Sequence, residues 1–362
     1  MKGTKLFVLL LLAIAMTLPT SVQAGEPHAT KKLFPVTIVD DLHTRVQITQ
    51  QPKRILSLDP RDTETLFALG LEKRVVGDGG QYVEGAAGYS RPFHFPSEWP
   101  SKWGRDYPIR AKALPHIEGG FGTTPFDLEK IESLTPDLIL SLNSDRPTLQ
   151  KMRDLGLKVV VLDPANLQGI YHDIQLVGRA TGATNQAATV TARMKSQIAS
   201  VRKKLAGVRT RPRVYYEIDA TNPTAPYTAG PGTFIDETIK LAGARNVADS
   251  ITSPGCPGTG CYPQLSLETL VKLDPQIILL GDAPYGTKVA DVKSRTGWST
   301  IAAIQSGRIY PFDDELISRA GPRISIGLLK LARRTHPERF GSRSPTGLST
   351  LGTARESDSP ET

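Results

Sequence analysis

The chemistry-bearing residues of this 362-residue chain form no motif of a known catalytic type. The sequence lacks G-x-S-x-G, a P-loop, a G-x-G-x-x-G after a strand and H-E-x-x-H, so no nucleophile or phosphate-binding loop is visible. His94 and His116 could meet and hold a metal, but surface or loop positions are the ordinary reading of both. The six histidines are scattered: His28, His43, His94, His116, His172 and His336. We therefore expect no catalysis, no metal and no cofactor, with an enzyme as the alternative.

Two cysteines, Cys256 and Cys261, stand in the Pro/Gly-rich stretch CPGTGC. In an oxidising compartment a local disulfide between them is the first expectation, and it would shape the loop that presents Tyr262. A metal site is the alternative, although two ligands without a nearby histidine support it weakly.

Two glutamates, Glu129 and Glu268, occupy the same position in two similar stretches. Residues 128–140 and 267–279 both read L-E-x-[IL]-x-x-L-x-P-x-[LI]-I-L, and a weaker pair joins residues 64–70 to 237–243. Strands alternate with helices on both sides, which is typical of parallel α/β sheets. The repeat indicates two similar α/β lobes; a chance likeness between common helix–strand units is the alternative.

A helix is predicted between the two copies, from Asn185 to Leu205. Its apolar residues Met194, Ile198 and Val201 recur at helical spacing. Asn185 suits the N-cap, and the Arg/Lys residues near the end suit the helix dipole. Such a helix would be about 30 Å long at 1.5 Å per residue. The predicted fold is therefore two α/β lobes with parallel sheets, joined by one long linker helix.

The first residues predict export. Lys2 and Lys5, an apolar core over residues 7–18 and the small-x-small site at residues 22–24 indicate a cleavable signal peptide over residues 1–24. That core is too short to span a membrane comfortably. Because no cysteine follows the site, we expect no lipid anchor.

The remaining boundaries follow from composition. We expect an N-terminal lobe over residues 25–165, a linker helix region over 166–207, a C-terminal lobe over 208–340 and a disordered tail over 341–362. Residues 79–122 form a long irregular stretch rich in aromatic residues, which is typical of a functional insertion.

Composition limits the partners. Hydrophobic residues make up 39% and charged residues 22%, as in soluble globular proteins, and the formal net charge is +8. The positive balance favours an anionic ligand or surface. It does not favour nucleic acid, because no long Lys/Arg run and no nucleic-acid motif occurs.

Several stretches together resemble class III periplasmic substrate-binding proteins of ABC importers, which carry ferric siderophores, haem or cobalamin. They are PVTIVDDLHTRVQITQQPKRILSLDPRDTETLFALG, DLEKIESLTPDLILSL, AGPGTFIDETIKLAGARNVADS, YPQLSLETLVKLDPQIILL and GRIYPFDD, followed by RAGPRI. The resemblance covers nearly the whole chain after the signal. It implies a ligand cleft between the lobes, a periplasmic monomer, and delivery to an ABC permease dimer in the inner membrane.

The resemblance also implies ligand-binding residues. Tyr227 in NPTAPYTAG and Tyr262 in CYPQ match aromatic positions of the cobalamin-binding relative, and Arg319 in ISRAGPR matches its arginine. Arg61 and Tyr82, in or near predicted loops, complete the expected set. Ordinary half-buried packing is the alternative for Tyr227 and Tyr262, and a structural ion pair is the alternative for Arg319.

Departures from the family pattern bear on the cargo. One tryptophan position of the cobalamin binder falls at Leu142 and the other within HIEGGF, and the tyrosine typical of haem binders is missing before DLEKI. These departures favour an anionic metal chelate, a ferric siderophore first, since arginines bind carboxylate and catecholate oxygens bidentately. A corrinoid such as cobalamin, haem or an oxyanion are the alternatives.

The resemblance gives Glu129 and Glu268 a role as well. In the family the two matching glutamates face arginines on the two permease subunits, which predicts docking. Each glutamate also stands at a predicted helix start, where a carboxylate favours the dipole, so simple helix stabilisation is the alternative.

Overall fold

The structure is a computed structural model that describes residues 33–81, 108–119, 125–143, 145–251 and 262–341. The predicted signal peptide, Tyr82, Cys256, Cys261 and the predicted tail beyond residue 341 lie outside this range. Within it, no helix combines the length and the apolar character that crossing a membrane requires.

The first lobe opens with an antiparallel hairpin, β1 (Val36–Val39) and β2 (Arg45–Ile48). The elements that follow are β3 (Ile55–Ser57), α1 (Pro60–Ala68), β4 (Val75–Gln81), β5 (His116–Glu118), α2 (Leu128–Ser133), β6 (Leu138–Ser141), α3 (Arg146–Asp154) and β7 (Val159–Val161). The five strands after the hairpin form a parallel sheet in the order β5-β4-β3-β6-β7. Strand β5 and a 3-10 helix at Ile109–Ala113 fall inside the stretch predicted to be irregular.

Two helices connect the lobes, α4 (Leu167–Thr181) and α5 (Thr184–Lys204). Helix α5 is the predicted linker helix, and it buries Met194, Ile198 and Val201 as expected. The predicted N-cap is wrong: α5 begins at Thr184, so Asn185 lies inside the first turn, and the capping position makes no side-chain hydrogen bond.

Helix α4 was not predicted, although its exposed residues recur at helical spacing, at Gln168, His172, Gln175 and Arg179. Ten of its 15 residues are buried. The helix ends at Gly182, whose φ is +75°. A Cβ at Gly178 would lie 2.5 Å from the Cβ of Ala187, so the glycine is what allows α4 and α5 to approach closely.

The second lobe repeats the parallel α/β arrangement. Its elements are β8 (Arg213–Asp219), β9 (Tyr227–Thr228), α6 (Phe234–Leu241), β10 (Arg245–Asn246), α7 (Leu267–Leu273), β11 (Ile277–Leu280), α8 (Val289–Ser294), α9 (Ala302–Ser306), β12 (Ile309–Pro311) and α10 (Ile324–Thr335). Strands β10-β8-β11-β12 are parallel in that order, and β9 pairs antiparallel with β8. The two copies of the sequence repeat are therefore α2–β6 and α7–β11.

One apolar core runs through both lobes and the helices between them. Ile55 and Leu138 of the first lobe, Met194 of α5 and Ile277 of the second lobe belong to the same contiguous cluster. The next strand residue, Ile278, packs in a separate cluster on the opposite face of its sheet, as the two-residue period of a strand requires. Each such side chain contributes roughly 1.5–3 kcal/mol of burial, so the shared core couples the lobes.

Candidate functional site

The carboxyl end of β3 turns directly into α1 and places Arg61 in the first turn of that helix. Asp59 is the N-cap, and its carboxylate accepts a hydrogen bond from the Arg61 backbone N–H at 2.9 Å. The Arg61 Nε lies 3.3 Å from Asp59 Oδ1 and 3.6 Å from Asp62 Oδ1, and its Nη2 donates to the carbonyl of Leu162. The arginine predicted to bind an anion is therefore already paired within the protein.

Carboxylates outnumber cations around this arginine. Burial raises the pKa of Asp62 to about 8, although the charge of Arg61 opposes the shift. Burial and the neighbouring Asp41 carboxylate raise the pKa of Asp173 to about 9. We call the group the N-lobe acidic cluster; its members are Asp41, Asp59, Asp62, Asp163 and Asp173.

A buried ion pair joins the two lobes beside Arg61. Glu64 of α1, which is 2% exposed, accepts hydrogen bonds from the backbone N–H of Arg323 at 3.0 Å and from its Nε at 2.9 Å. Arg323 is the N-cap residue of α10, so a carboxylate of the first lobe caps a helix of the second. Glu315 contacts the Nη2 of the same arginine at 3.3 Å.

Arg319 belongs to the same network. Its guanidinium forms an ion pair with Glu315 and is largely buried. A Cβ at Gly321 would lie 3.3 Å from Glu64 Oε1 and 3.8 Å from the Cβ of Arg61, so the loop that carries Arg319 packs against α1. The structure thus brings Arg61 and Arg319 into one region, where Arg319 has the contacts of a structural ion pair. Its ligand-binding role stays a prediction.

Tyr227 and Tyr262 lie on adjoining extended segments. Tyr227 opens β9 and bridges to Gln264, and the next residue, Thr228, donates its backbone N–H to the carbonyl of Pro263 at 3.0 Å. Tyr262 is 39% exposed, which is open for a large aromatic side chain. Burial of its hydroxyl and the nearby Asp314 carboxylate nevertheless raise its pKa to about 12.

Asp314 connects the tyrosine to the arginine network. Its carboxylate accepts a hydrogen bond from the hydroxyl of Tyr216 at 2.7 Å and another from Ser318 at 2.8 Å. Its charge acts on Tyr262, and Arg319 in turn acts on Asp314. Tyr262 and Arg319 therefore flank the same buried carboxylate.

Sequence reasoning missed three acidic partners, Glu64, Asp314 and Glu315. It also missed that Arg323 is the N-cap residue of α10. Glu64 alone carried a signal, because it stands in the weaker repeated segment. Tyr82 of the predicted ligand set, and the predicted Cys256–Cys261 disulfide, lie outside the described residues and stay predictions.

Glu129 and Glu268 lie where the repeat predicted them. Each is the second residue of its helix, α2 or α7, and each is exposed. The N-caps before them are Asp127, which accepts from the Lys130 N–H at 3.0 Å, and Ser266, which accepts from the Thr269 N–H at 3.1 Å. Exposure leaves both carboxylates accessible to a partner, and their first-turn positions also suit the helix dipole.

Two parallel α/β sheets bridged by a long helix, with charged and aromatic residues meeting between them, define the class III periplasmic type of solute-binding protein. The family model described as periplasmic binding protein matches residues 55–316, well over half of the chain, and the chain belongs to that family. The family consists of substrate-binding components of ABC importers that act outside the cytoplasm. The chain is therefore a binding protein with a membrane permease as its partner, and not an enzyme.

Relatives and solved structures agree with this family. The chain is 28% identical to the uncharacterized ABC transporter substrate-binding lipoprotein YvrC of Bacillus subtilis, over 94% of this chain and 99% of that protein. It is also 28% identical to a cobalamin-binding protein of Halobacterium salinarum, over 91% of this chain and 83% of that protein. The periplasmic haem-binding protein RhuT from Roseiflexus sp. RS-1 shares the fold, with a TM-score of 0.63 at 24% identity, over 79% of this chain and 99% of that one.

Proposed function

We propose that the chain captures a corrinoid outside the cytoplasm and delivers it to the permease of an ABC importer. The observation that carries this choice is the state of the arginines between the lobes. Arg61, Arg319 and Arg323 are each paired with carboxylates of the protein itself. A ligand that meets these residues does not need to bring negative charge.

Charge complementarity distinguishes the candidate ligands. A ferric tris-catecholate carries several negative charges, and burying it requires cations that are not already neutralised. Next to Arg61 it would also meet the carboxyl groups of the N-lobe acidic cluster, two of which, Asp59 and Asp62, already contact that arginine. A corrinoid is a large macrocycle fringed by amides with little net charge, so it fits a site whose charges are internally balanced.

Aromatic surface supplies the second line of support. Tyr262 is exposed, and Tyr227 lies on the segment paired beside it. Such rings stack on flat macrocycles and contribute on the order of 1 kcal/mol beyond area burial. The similarity to a cobalamin-binding protein over most of the chain supports the same ligand class.

A ferric siderophore, the ligand preferred from the sequence, is the second candidate. The net charge of +8 favours an anion. Arg110 is exposed on the first lobe, with Glu72 3.6 Å from its guanidinium, while Arg91 and Arg105 lie outside the described residues. This candidate requires those arginines to meet the ligand.

Titration of the mature chain with cyanocobalamin, a ferric tris-catecholate and haemin separates the candidates. We expect saturable one-to-one binding of cyanocobalamin, followed by calorimetry or quenching of tryptophan fluorescence. Tyr262→Ala should weaken it about tenfold through lost stacking. The matched control is Tyr310→Ala. Tyr310 of β12 is half-buried, and its ring packs against Arg334 of α10. Saturable binding of the catecholate without binding of cyanocobalamin would replace the corrinoid by the siderophore.

For the delivery step, we propose that Glu129 and Glu268 dock to the permease. Two exposed carboxylates at matching points of two similar lobes suit a partner with two-fold symmetry. We also propose that residues 1–24 are removed on export. Mass spectrometry of the protein recovered from the periplasm should give a mature chain that begins at Gly25.

A further inference from the structure

We propose that Asp41, His172 and Asp173, three residues in or beside the N-lobe acidic cluster, bind one divalent transition-metal ion. Asp41 lies in the turn between β1 and β2, and the other two residues lie in the second turn of α4. The ion would therefore tie the N-terminal hairpin of the first lobe to the first of the two connecting helices.

The donor atoms already have the spacing of a metal site. The Nδ1 of His172 lies 3.7 Å from Asp41 Oδ1 and 3.2 Å from Asp173 Oδ1, and one donor atom from each of the three residues falls within 4.8 Å of the others. A metal with bonds of about 2.1 Å separates neighbouring ligands by roughly 3.0–3.4 Å. Small side-chain movements would complete the coordination.

Buried acceptors without donors are the independent observation that points to a cation. Asp62 is 2% exposed and Asp173 is 6% exposed. In the part of the chain that the structure describes, no donor reaches the Oδ2 atom of either residue. Asp62 is close enough for its charge to act on both Asp41 and Asp173. Carboxylate oxygens buried in this way are costly unless a donor or a cation satisfies them.

The charge inventory agrees. The N-lobe acidic cluster contains five carboxylates around one guanidinium, that of Arg61. In the second lobe Glu217 takes both terminal nitrogens of Arg295 in a bidentate pair, and Asp282 is a further buried carboxyl group beside them. Five carboxyl groups around one guanidinium in the first lobe thus compare with two in the second, and a dication would offset the charge that the five carry when ionised.

The surroundings orient the donors and leave a path for the ion. Asp41 Oδ2 accepts the backbone N–H of Asp163 at 2.6 Å, which holds its Oδ1 toward His172. Such outer contacts fix metal ligands in place. The His172 side chain is 52% exposed, so the ion can enter from solvent.

The donor set selects the class of metal. One imidazole with two or three carboxylates suits Zn²⁺ and neighbouring first-row ions. Mg²⁺ and Ca²⁺ prefer sites made of oxygen alone. We therefore expect Zn²⁺ to bind more tightly than either.

Calorimetric titration of EDTA-treated, tag-free mature protein with ZnCl₂ tests the site, with Co²⁺ absorption as a report of coordination. We expect the wild type to bind one Zn²⁺ per chain at this site. His172→Gln and Asp173→Asn should each bind Zn²⁺ at least tenfold more weakly than the wild type. The matched control is His116→Gln, which removes another histidine beside a carboxylate: its Nδ1 lies 2.8 Å from Asp78 Oδ1. The control should bind as the wild type does.

Zn²⁺ should also raise the melting temperature of the wild type but not that of His172→Gln, which is half exposed and should fold normally. Absence of saturable Zn²⁺ binding, or unchanged binding in His172→Gln, would overturn the proposal and leave His172 as an ordinary hydrogen-bonded histidine. Binding of cyanocobalamin in EDTA is measured separately, so failure of the metal site and failure of the proposed function are distinguishable.

Discussion

The two lobes contain the same helix–strand unit, and the same backbone turn joins the helix to the strand in each. A residue in the left-handed region follows each of helices α2 and α7: Thr135, with φ of +42°, comes after the C-cap Leu134, and Asp274, with φ of +43°, is itself the C-cap. Proline follows each. An arginine from the start of the neighbouring strand covers the exposed carbonyls. Arg54 Nε donates to the Thr135 carbonyl at 3.1 Å, and Arg213 Nε donates to the Asp274 carbonyl at 2.8 Å. The repeat therefore includes an arginine that the sequence pattern did not contain.

The side-chain contacts around the two turns differ. Asp274 also pairs with Arg213 Nη2 at 2.9 Å and accepts the Ala302 backbone N–H at 2.8 Å. Thr135, at the same point of the first lobe, has no carboxylate with which to do so. Backbone geometry is retained between the lobes while side-chain partners diverge, because the helix ending requires satisfied carbonyls but not one particular residue.

The weaker repeat shows the same contrast in the contacts between lobes. Glu64 of α1 reaches the start of α10, and Glu237 of α6 reaches the Leu167 N–H at the start of α4 at 3.0 Å. Each glutamate thus satisfies the first N–H groups of a helix in another part of the chain. Glu64 is fully buried and holds the Arg323 guanidinium, whereas Glu237 is half-buried and holds a backbone N–H. We therefore expect Glu64 to contribute more than Glu237 to the free energy of unfolding.

The largest expected effect tests whether the lobes act as a pair on the permease. Reversal of both exposed charges, Glu129→Arg with Glu268→Arg, should lower binding to the cognate permease and stimulation of its ATPase at least about tenfold, since interfacial charges act on encounter and specificity. Ligand affinity should not change. Each single reversal should give an intermediate loss.

The matched control reverses two other exposed glutamates, Glu132→Arg with Glu338→Arg, and changes net charge equally. If it impairs the permease as strongly as the first pair, the effect is one of net charge alone. If the first pair leaves coupling intact, Glu129 and Glu268 are only helix-stabilising residues.

Local pattern was enough to predict the features that depend on one face of one element. Met194, Ile198 and Val201 define α5 because only that face is apolar. The two-lobe fold was predicted from the repeat and the alternation of strands with helices, and the family from the resemblance of several stretches; both are confirmed. Helix α4 carried the same kind of signal, because its exposed residues Gln168, His172, Gln175 and Arg179 recur at helical spacing, but that signal was not used in the prediction.

The site residues depend on contacts that no local pattern contains. Arg61 was chosen as a cation near a predicted loop and Arg319 by the family resemblance. Their carboxylate partners Asp59, Asp62 and Glu315 lie within four residues, whereas the packing of the Arg319 loop against α1 joins segments far apart in sequence. The Glu64–Arg323 pair joins residues 259 apart in sequence. Asp41 and Asp173 likewise meet only because the hairpin packs beside α4. Loops supply such partners through tertiary packing, which composition and spacing do not record.

A smaller effect measures the divergence of the two inter-lobe glutamates. Glu64→Gln removes the nearer carboxylate from a buried guanidinium, which keeps Glu315, and should cost about 2–3 kcal/mol of unfolding free energy. Glu237→Gln keeps an acceptor for the Leu167 N–H and should cost about 0.5–1 kcal/mol. Urea unfolding of both variants at neutral pH gives the two values. Equal losses of unfolding free energy in the two variants would contradict the larger contribution expected of the more buried Glu64.

The smallest effect compares the two N-caps of the repeated helices, Asp127 and Ser266. Each accepts a hydrogen bond from the N–H three residues later, so replacement of either by Ala should cost about 1 kcal/mol. Asp127 also places a full negative charge at the helix start, which should add roughly 0.3–1 kcal/mol to its loss at low ionic strength. In 1 M NaCl, where the screening length is about 3 Å, that addition should vanish and the two losses should become equal. Urea unfolding in 20 mM buffer and in 1 M NaCl measures the difference. A gap that persists in high salt would place the asymmetry in packing and not in charge.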